Sequence, residues 1–420
     1  MPLPAMLPIS LIHPTGNPNA REAAIALAEA RLLHEVITTI AYNPQSAVAR
    51  ALNQIPAPFG PAIHRQLQRR TWVPPQPARI QCHPWREGLR VGLTRSGLVS
   101  QLGIRPQRLV DWIYTSLDWH VAKHHLQGVR AVYGYEDGAA ATFAAAKQQG
   151  ILCLYDLPIP FYQTVAKLHR EESSRFPELS ASLTAIHEPT WKLERKETEV
   201  RLADRIFVAS QITQQSLLAE GIDRDKITVI PYGAPLEYFQ PQPQPNHPFR
   251  VLYVGRVAPH KGVHYLLQAW QELQLPGAEL VLVGVNDFPK HWLSRYQDSF
   301  QYVPSVPHAE LNAYYSSASV LVLPSLIEGF GMVVLEAMAC GIPAITTMNV
   351  GSADCLTSGE TGFVLPIRDV EALKAKLEWC YRHPQQLREM GQAAWHKAQQ
   401  LTWEAYRQTL SACVREMVQS

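Results

Sequence analysis

Short runs of apolar residues alternate with amphipathic stretches through the second part of the chain, and this alternation constrains the fold more than any other feature. The strand-like runs are "FRVLYVGRV", "AELVLVGV", "SVLVLPS" and "PAITT". Patterns with helical periodicity follow them: "GVHYLLQAWQEL", "HAELNAYYSSA", "GMVVLEAMACG" and "DVEALKAKLEWCYRHP". Strands that are apolar along their whole length are buried on both faces, so the pattern predicts a parallel sheet covered by helices.

The first part of the chain carries similar strand patterns, and one composition break separates the two parts. The break is "QPQPQPNHP" (240–248), which favours an extended linker over a helix or a central strand. We therefore predict an α/β protein of two doubly wound, Rossmann-like domains, residues 1–235 and 249–401. Their strand-end loops would face each other across a ligand-binding cleft. The amphipathic helix at 402–420 could pack on either domain.

The net charge, the cysteine spacing and the first residues of the chain argue against several classes of protein. The net charge of +2 does not favour a nucleic-acid partner, and the six cysteines form no CxxC pair and have no metal-ligand spacing. The opening "MPLPAMLPISLIHP" lacks the basic residues of a signal peptide and is too short to span a bilayer. We expect a cytoplasmic protein.

Two glutamates flank the start of the predicted helix in "EGFGMVVLEAMACG". Glu328 stands beside the Gly-Phe-Gly turn, and Glu336 follows eight residues later. The amides of Gly329, Phe330, Gly331 and Met332 would form a helix N-terminus, which attracts anions such as phosphate. A carboxylate beside a phosphate is repelled, so the glutamates would accept hydrogen bonds from neutral hydroxyls such as those of ribose. Alternatively, Glu328 caps the helix and Glu336 pairs with a surface lysine.

A second candidate loop, "GRVAPHKG", follows the first strand of the second domain. Arg256 and Lys261 lie on it with few acidic neighbours in sequence. Facing the anion-attracting turn, the two cations would neutralise a diphosphate. A solvated basic loop is the alternative.

Taken together, these stretches resemble the family 4 glycosyltransferases, which are retaining nucleotide-sugar enzymes of the GT-B fold. The family's Glu, seven residues, Glu pattern stands here as Glu328 and Glu336. The "GR…KG" loop, "PSLIEGFG" and "EAMACGIPAI" also match in order, as do "YVPSVPHAELNAYYSSASVLVLPS" and "NVGSADCLTSGETGFVLP". The resemblance covers nearly all of residues 200–410.

The resemblance implies a role for each matched residue. Glu336 would bind the ribose hydroxyls, and Glu328 would contact the transferred sugar. Arg256 and Lys261 would hold the diphosphate and stabilise it as it leaves, and the amides of Gly329 to Gly331 would approach the sugar and phosphate. Such electrostatic catalysis needs no metal and no cofactor besides the UDP- or GDP-linked donor substrate. The resemblance also implies that the helix at 402–420 returns to the first domain.

Five residues of the first domain are further candidates. Gly16, in "HPTGNPNAREAAIALAEA", could approach the donor phosphate, although the stretch is also good helix-capping sequence. Glu136, Asp137, Tyr155 and Asp156 follow or end predicted strands and would lie on the acceptor side. Many family members carry histidine where Tyr155 stands, and this difference leaves open what contacts the sugar there. Helix capping is the alternative role of each carboxylate.

One segment of the first domain is strongly basic. Only one acidic residue, Glu87, accompanies its arginines, and Trp72 and Trp85 are interleaved with them. The mixture suits an anionic acceptor or peripheral contact with an anionic membrane, with a solvated basic face as the alternative. The arginines are Arg65, Arg69, Arg70, Arg79, Arg86, Arg90, Arg95, Arg105 and Arg108.

The resemblance thus implies a retaining hexosyltransferase acting on a glycan, lipid-linked or small-molecule acceptor hydroxyl, as in polysaccharide or glycolipid synthesis. A catalytically silent nucleotide-sugar-binding protein is the alternative that Tyr155 raises. A nicotinamide oxidoreductase would need the GxGxxG fingerprint, and a phosphorylase of similar architecture would need inorganic phosphate. The nucleotide base, the sugar and the acceptor stay open.

Overall fold

The structure is a computed structural model of the chain, and it describes residues 8–46, 49–50, 67, 70–73, 79–96, 106–242, 248–296 and 298–419. Most of the segment 240–248, predicted to be a linker, lies outside the described residues.

Two parallel sheets organise the described residues. The first contains β1 (Ile9–Ile12), β2 (Leu33–Thr38), β3 (Arg79–Cys82), β4 (Ala131–Tyr135), β5 (Leu152–Leu157), β6 (Arg205–Val208) and β7 (Ile227–Val229), in the order β3-β2-β1-β4-β5-β6-β7. The helices along this part of the chain are α1 (Pro18–Glu29), α2 (Pro84–Arg95), α3 (Pro106–His124), α4 (Ala140–Gln148), α5 (Tyr162–Arg175), α6 (Thr190–Leu202) and α7 (Gln211–Leu218).

The second sheet contains β8 (Arg250–Val254), β9 (Glu279–Val283), β10 (Gln301–Val303), β11 (Val320–Leu323), β12 (Ala344–Thr347) and β13 (Gly362–Leu365), in the order β10-β9-β8-β11-β12-β13. Its helices, with the last helix of the chain, are α8 (Val263–Leu273), α9 (Lys290–Leu293), α10 (Leu311–Ser316), α11 (Met332–Ala339), α12 (Val370–Arg382), α13 (Pro384–Ala398) and α14 (Trp403–Gln419). All its strand pairs are parallel. The strand β11 is buried along its whole length, as a sheet covered on both faces requires.

The chain divides into two compact units. The first comprises residues 1–157, 189–207 and 407–420, and the second comprises residues 158–188 and 208–406. Within the first unit, Arg407 of α14 forms an ion pair with Glu22 of α1 at 2.7 Å. The side chains of Leu410, Val414 and Val418 on the same helix are buried. The domain boundaries predicted from the sequence stay predictions.

Candidate functional site

Two loops of the second unit meet because the strands that precede them are neighbours. Strands β8 and β11 pair in parallel, so residues 255–262 and 324–331 leave the same edge of the sheet. Gly262 has a φ of +69°, and a Cβ there would lie 1.9 Å from the carbonyl oxygen of Pro324. The amide of Leu326 donates to the carbonyl of His260 at 3.0 Å. The sequence therefore joins the two candidate loops through a contact that only glycine permits.

Lys261 and Glu328 meet where these loops touch. The Lys261 ammonium forms an ion pair with the Glu328 carboxylate, and both side chains are largely buried. Burial and the charge of Arg256 lower the pKa of Lys261 to about 8, while the carboxylate of Glu328 opposes that shift by stabilising the ammonium. Glu328 does not cap α11, because the helix begins after Gly331 with no side-chain cap. The capping alternative is therefore wrong, and Lys261 and Glu328, two of the three residues predicted to act in catalysis, are in contact.

The turn between Glu328 and α11 has its carbonyls engaged and its amides free. Ser210 Oγ donates to the carbonyl oxygen of Gly329 at 2.6 Å. The amide of Ser352 donates to the carbonyl oxygen of Phe330 at 2.6 Å. Among the described residues, no hydrogen bond uses the amides of Gly329, Phe330, Gly331 or Met332. Uncommitted amides at a helix start are what an anion would bind.

The glycines of this turn are required by its packing. Gly331 has a φ of +83°, where an L side chain is strained. A Cβ at Gly329 would lie 2.1 Å from the carbonyl oxygen of Pro158. One side of Gly329 is thus filled by protein backbone. The predicted approach of its amide to a ligand stays a prediction.

Arg256 is paired with a residue that the sequence analysis did not single out. Its Nε donates to Asp287 Oδ2 at 2.7 Å, while 60% of the arginine side chain is exposed. The carbonyl of Arg256 accepts from the Tyr253 hydroxyl at 2.6 Å, which fixes the backbone. The guanidinium is therefore held by one exposed ion pair, of the kind that contributes little stability and exchanges readily.

Glu336 is buried and held by two side chains. The Tyr315 hydroxyl donates to Glu336 Oε2 at 2.6 Å, and His308 Nε2 lies 3.2 Å from Oε1. The carboxylate raises the pKa of His308. The alternative that Glu336 pairs with a surface lysine is wrong. Because an ionised carboxylate offers about four acceptor positions, two remain for a ligand.

Glu136 and Asp137 of the first unit pair with lysines of α6. Glu136 lies 3.2 Å from Lys196, and Asp137 lies 3.0 Å from Lys192. Asp137 adopts a φ of +66°, which is uncommon outside glycine. Their predicted roles on the acceptor side stay predictions.

Tyr155 and Asp156 point into buried networks of the first unit. The Tyr155 hydroxyl donates to Glu199 Oε2 at 3.0 Å, and burial raises the pKa of Glu199 to about 8. The Tyr133 hydroxyl donates to Asp156 Oδ2 at 2.8 Å, and burial raises the pKa of Asp156 to about 7. The side chains of both residues are almost inaccessible to solvent, and each forms a hydrogen bond within the first unit. Their predicted roles on the acceptor side stay predictions.

The lack of a side chain at Gly16 leaves room for the ring of Trp72. Gly16 has a φ of +57°, and a Cβ there would lie 2.4 Å from Cε3 of Trp72. Its amide donates to Nδ1 of His13 at 2.8 Å, and burial lowers the pKa of His13 to about 3, which keeps the ring a neutral acceptor. The capping alternative is present one residue later, where Asn17 caps α1. The contact of Gly16 with a phosphate stays a prediction.

The basic segment is partly neutralised where the structure describes it. Glu87 pairs with Arg70 and Arg90, and Arg86 stacks on Trp85 with 4.5 Å between the guanidinium carbon and the ring centroid. In the described part of the chain no helix is long and apolar enough to cross a membrane. Arg79 and Arg108 are exposed. Four of the predicted arginines fall wholly or partly outside what is described: Arg65, Arg69, Arg105 and the side chain of Arg95.

The structure adds three residues that sequence patterns missed: Asp287, His308 and Tyr315. Each contacts a predicted residue from a distant loop or helix, so no local spacing could reveal it. His308 and Tyr315 both lie in the stretch "YVPSVPHAELNAYYSSASVLVLPS", and their position within the resemblance was the one signal that could have found them.

The family model of the group 1 glycosyl transferases matches residues 236–397. D-inositol 3-phosphate glycosyltransferase of Kribbella flavida is 27% identical over 308 residues, or 67% of this chain and 72% of that protein. The aligned region covers 61% of the same-named protein of Paenarthrobacter aurescens, which is 29% identical over 52% of this chain. The putative colanic acid biosynthesis glycosyltransferase WcaL of Escherichia coli is 27% identical over 42% of this chain and 47% of its own length.

Solved structures confirm the fold class. Sucrose-phosphate synthase from Thermosynechococcus elongatus aligns over 98% of both chains with a TM-score of 0.64 and 22% identity. HepE of Anabaena, in complex with UDP, aligns over 98% of this chain and 100% of its own chain. The TM-score is 0.63 and the sequence identity is 15%. The two parallel sheets and these neighbours establish the predicted α/β, GT-B fold.

Proposed function

We propose, on the premise that residues 236–397 belong to the group 1 glycosyl transferases, that the protein transfers a hexose from a nucleoside diphosphate sugar. The acceptor would be a hydroxyl of a glycan, a lipid-linked saccharide or a small molecule, and the anomeric configuration would be retained. The observation that carries the proposal is the joined pair of loops, which combines uncommitted amides with two cations and leads directly into α11, where the carboxylate of Glu336 is buried.

Each part of this arrangement suits one part of the donor. The amides of Gly329 to Met332 and the cations Arg256 and Lys261 suit the diphosphate, since both supply positive charge. Glu336, held in place by Tyr315, suits the vicinal hydroxyls of ribose. Because the cations can neutralise the leaving diphosphate, the scheme includes no resident metal there.

Donor binding would exchange ion-pair partners. Lys261 would turn from Glu328 to the diphosphate, and Arg256 would turn from Asp287. Glu328 would then accept hydrogen bonds from the hexose hydroxyls. As the bond between the sugar and the diphosphate breaks, negative charge builds on the diphosphate, and the cations would stabilise the transition state more than the ground state.

The relatives support this chemistry by their names. The relative from Kribbella flavida is named a D-inositol 3-phosphate glycosyltransferase. The relative from Escherichia coli is named a putative colanic acid biosynthesis glycosyltransferase. HepE is described in complexes with UDP, with UDP-glucose and with UDP and glucose. A UDP- or GDP-linked hexose is the donor that we propose for this chain.

The proposal is tested by measuring nucleotide affinity in a Glu336→Ala variant. Calorimetry with UDP, GDP and ADP on the wild type would identify the base. Loss of hydrogen bonds to a charged acceptor should weaken the preferred nucleotide by about 1.5–3 kcal/mol, roughly 10- to 150-fold. Glu360→Ala, at an exposed carboxylate of the same unit, is the matched control. Unchanged affinity in Glu336→Ala would refute the ribose role.

Turnover distinguishes the enzyme from a silent binding protein. Incubation with the matching nucleotide sugar and a panel of acceptors should release nucleoside diphosphate, and NMR of the product should show the donor's anomeric configuration. Binding without transfer or donor hydrolysis would favour the silent alternative, and an inverted product would refute retention.

A further inference from the structure

Three histidines from two segments of the chain converge in the first unit. His83 follows β3, His120 lies in α3, and His125 comes directly after that helix. One ring nitrogen of each lies within 4.8 Å of those of the other two. The ring centroids of His83 and His120 are 4.3 Å apart. No part of the proposed transfer reaction uses these residues.

Their surroundings orient the rings as metal ligands are oriented. Nδ1 of His125 lies 3.1 Å from Oε1 of Glu35, and the same oxygen accepts from Ser10 Oγ at 3.1 Å. This contact occupies one nitrogen of His125 and leaves Nε2 for a ligand. Metal-bound histidines almost always donate their other ring N–H to a carboxylate, a backbone carbonyl or a water, and Glu35 is such a carboxylate. Glu35 is itself buried and fixed in β2.

The other two rings are available as well. Nε2 of His83 is buried and has no hydrogen-bond partner among the described residues. The His120 ring centroid lies 4.3 Å from that of His83 and 5.4 Å from that of His125. A buried imidazole nitrogen without a partner is costly unless something binds it.

The charges around the cluster are of both signs. The Arg86 guanidinium acts on His83 and His120 and opposes a cation. Its Nε donates to Ser116 Oγ at 3.1 Å, which holds the guanidinium in place and leaves its charge. The carboxylate of Glu35 offsets it. His124 lies next to His120 and is exposed. The site therefore presents three imidazole rings with one carboxylate behind them.

We propose that His83, His120 and His125 bind a zinc ion, with Glu35 as the outer carboxylate and water in the fourth position. Three imidazole nitrogens suit Zn²⁺ and exclude Mg²⁺ and Ca²⁺, which require oxygen ligands. At Zn–N distances of about 2.0–2.1 Å, tetrahedral nitrogens lie about 3.4 Å apart, so the rings close in slightly. The ion joins the corner between β3 and α2 to the end of α3. It does not depend on the donor chemistry, whose proposed residues Arg256, Lys261 and Glu328 belong to the other unit.

The test is zinc titration of chelator-treated protein from which any affinity tag has been removed. Calorimetry with ZnCl₂ should give one equivalent per chain and a higher unfolding temperature. His83→Gln and His120→Gln should each abolish saturable binding, and Glu35→Gln should weaken it about 10- to 100-fold. His187→Gln, at an exposed histidine outside the cluster, should bind like the wild type.

X-ray absorption of the zinc-loaded wild type makes the test independent of how the variants fold. Three imidazole nitrogens at about 2.0–2.1 Å are expected. Fewer than three imidazoles, the absence of saturable binding by the wild type, or undiminished binding by folded His83→Gln and His120→Gln would overturn the proposal.

Discussion

Arg256 and Lys261 each contact a carboxylate, so a diphosphate has to compete with two ion pairs. The two pairs differ in their environment. The Arg256 side chain is 60% exposed in its pair with Asp287, whereas Lys261 and Glu328 are largely buried. An exposed pair is screened by water and exchanges at low cost, but a buried one resists removal of either partner.

Asp287→Asn should therefore tighten binding of the preferred nucleoside diphosphate. Removing the competing charge frees Arg256, and because an exposed ion pair contributes about 0.2–1 kcal/mol, the dissociation constant should fall by up to about fivefold. Calorimetry measures this dissociation constant. The control is Asp298→Asn, which removes an exposed carboxylate of the same unit. Weaker binding by Asp287→Asn would mean that Asp287 positions Arg256 rather than competes for it.

Asp156 gives a prediction about stability and pH. Its pKa of about 7 in the folded protein exceeds the ordinary value of 3.8. The folded state thus holds a proton that the unfolded chain releases. The contribution of this proton to the free energy of unfolding is fully present below about pH 4, and it is lost as the pH rises through 7.

Asp156→Asn should accordingly stabilise the first unit at pH 8, by up to about 4 kcal/mol, and change little at pH 4. The Asn oxygen can still accept from Tyr133. Hydrogen exchange of the β5 amides at both pH values measures the effect, and Tyr133→Phe controls for the hydrogen bond. A difference between Asp156→Asn and wild type that does not vary with pH would contradict the raised pKa.

The predicted site residues were identified by local patterns, and this explains both what was found and what was missed. Glu328 and Lys261 stand next to glycines that mark strand-end loops, so their neighbourhood could be inferred. The partners Tyr315 and Asp287 come from elsewhere in the chain. The three histidines were missed for the same reason, since only the fold brings His83 close to His120.

At the scale of elements, the two loops depend on each other through Gly262. A side chain at this position has both an unfavourable backbone angle and a clash with Pro324. Gly277 has nearly the same φ, +67°, but a Cβ there meets nothing within 4 Å. The chain thus contains a control with the same backbone strain and no clash.

Gly262→Ala should lower the unfolding temperature more than Gly277→Ala and should also weaken nucleotide binding. Each variant carries the left-handed strain of about 1–2 kcal/mol. Only Gly262→Ala must separate the loops that bring Lys261 to Glu328. Thermal unfolding and nucleotide calorimetry compare the two variants. Equal effects would show that backbone strain alone accounts for the loss.

Four strands of the second sheet, β8, β9, β11 and β12, were predictable because buried parallel strands are apolar throughout. The strands β10 and β13 were not predicted, and β10 is largely exposed. The predicted helix at 308–318 is in fact shorter. Its first residues form a 3-10 turn after Pro307, and α10 covers only Leu311–Ser316. Residue propensity cannot fix such ends, since helix termini depend on tertiary packing.

At the scale of the whole molecule, neither unit is one continuous stretch of chain. The first unit is completed by residues 407–420, after the chain has passed through the second. The helix α14 contributes the buried side chains Leu410, Val414 and Val418 and the ion pair of Arg407.

Truncation after Gln400 should therefore destabilise the first unit although it removes none of the proposed donor-binding residues. Each lost apolar side chain is worth about 1.5–3 kcal/mol, so the total would be about 5 kcal/mol or more. Hydrogen exchange should rise in the amides of α1, whose Glu22 loses Arg407. Leu410→Ala should show a milder form of the same effect. Unchanged protection of α1 would contradict this role of α14.

This arrangement has a consequence for synthesis on the ribosome. About 200 residues separate the return of the chain at 207 from its last contribution to the first unit at 407. At about 5–20 residues per second, translation of that stretch takes roughly 10–40 s. Throughout that interval the surface that α14 covers would stay exposed, and exposed apolar surface of this kind makes a nascent chain prone to aggregation.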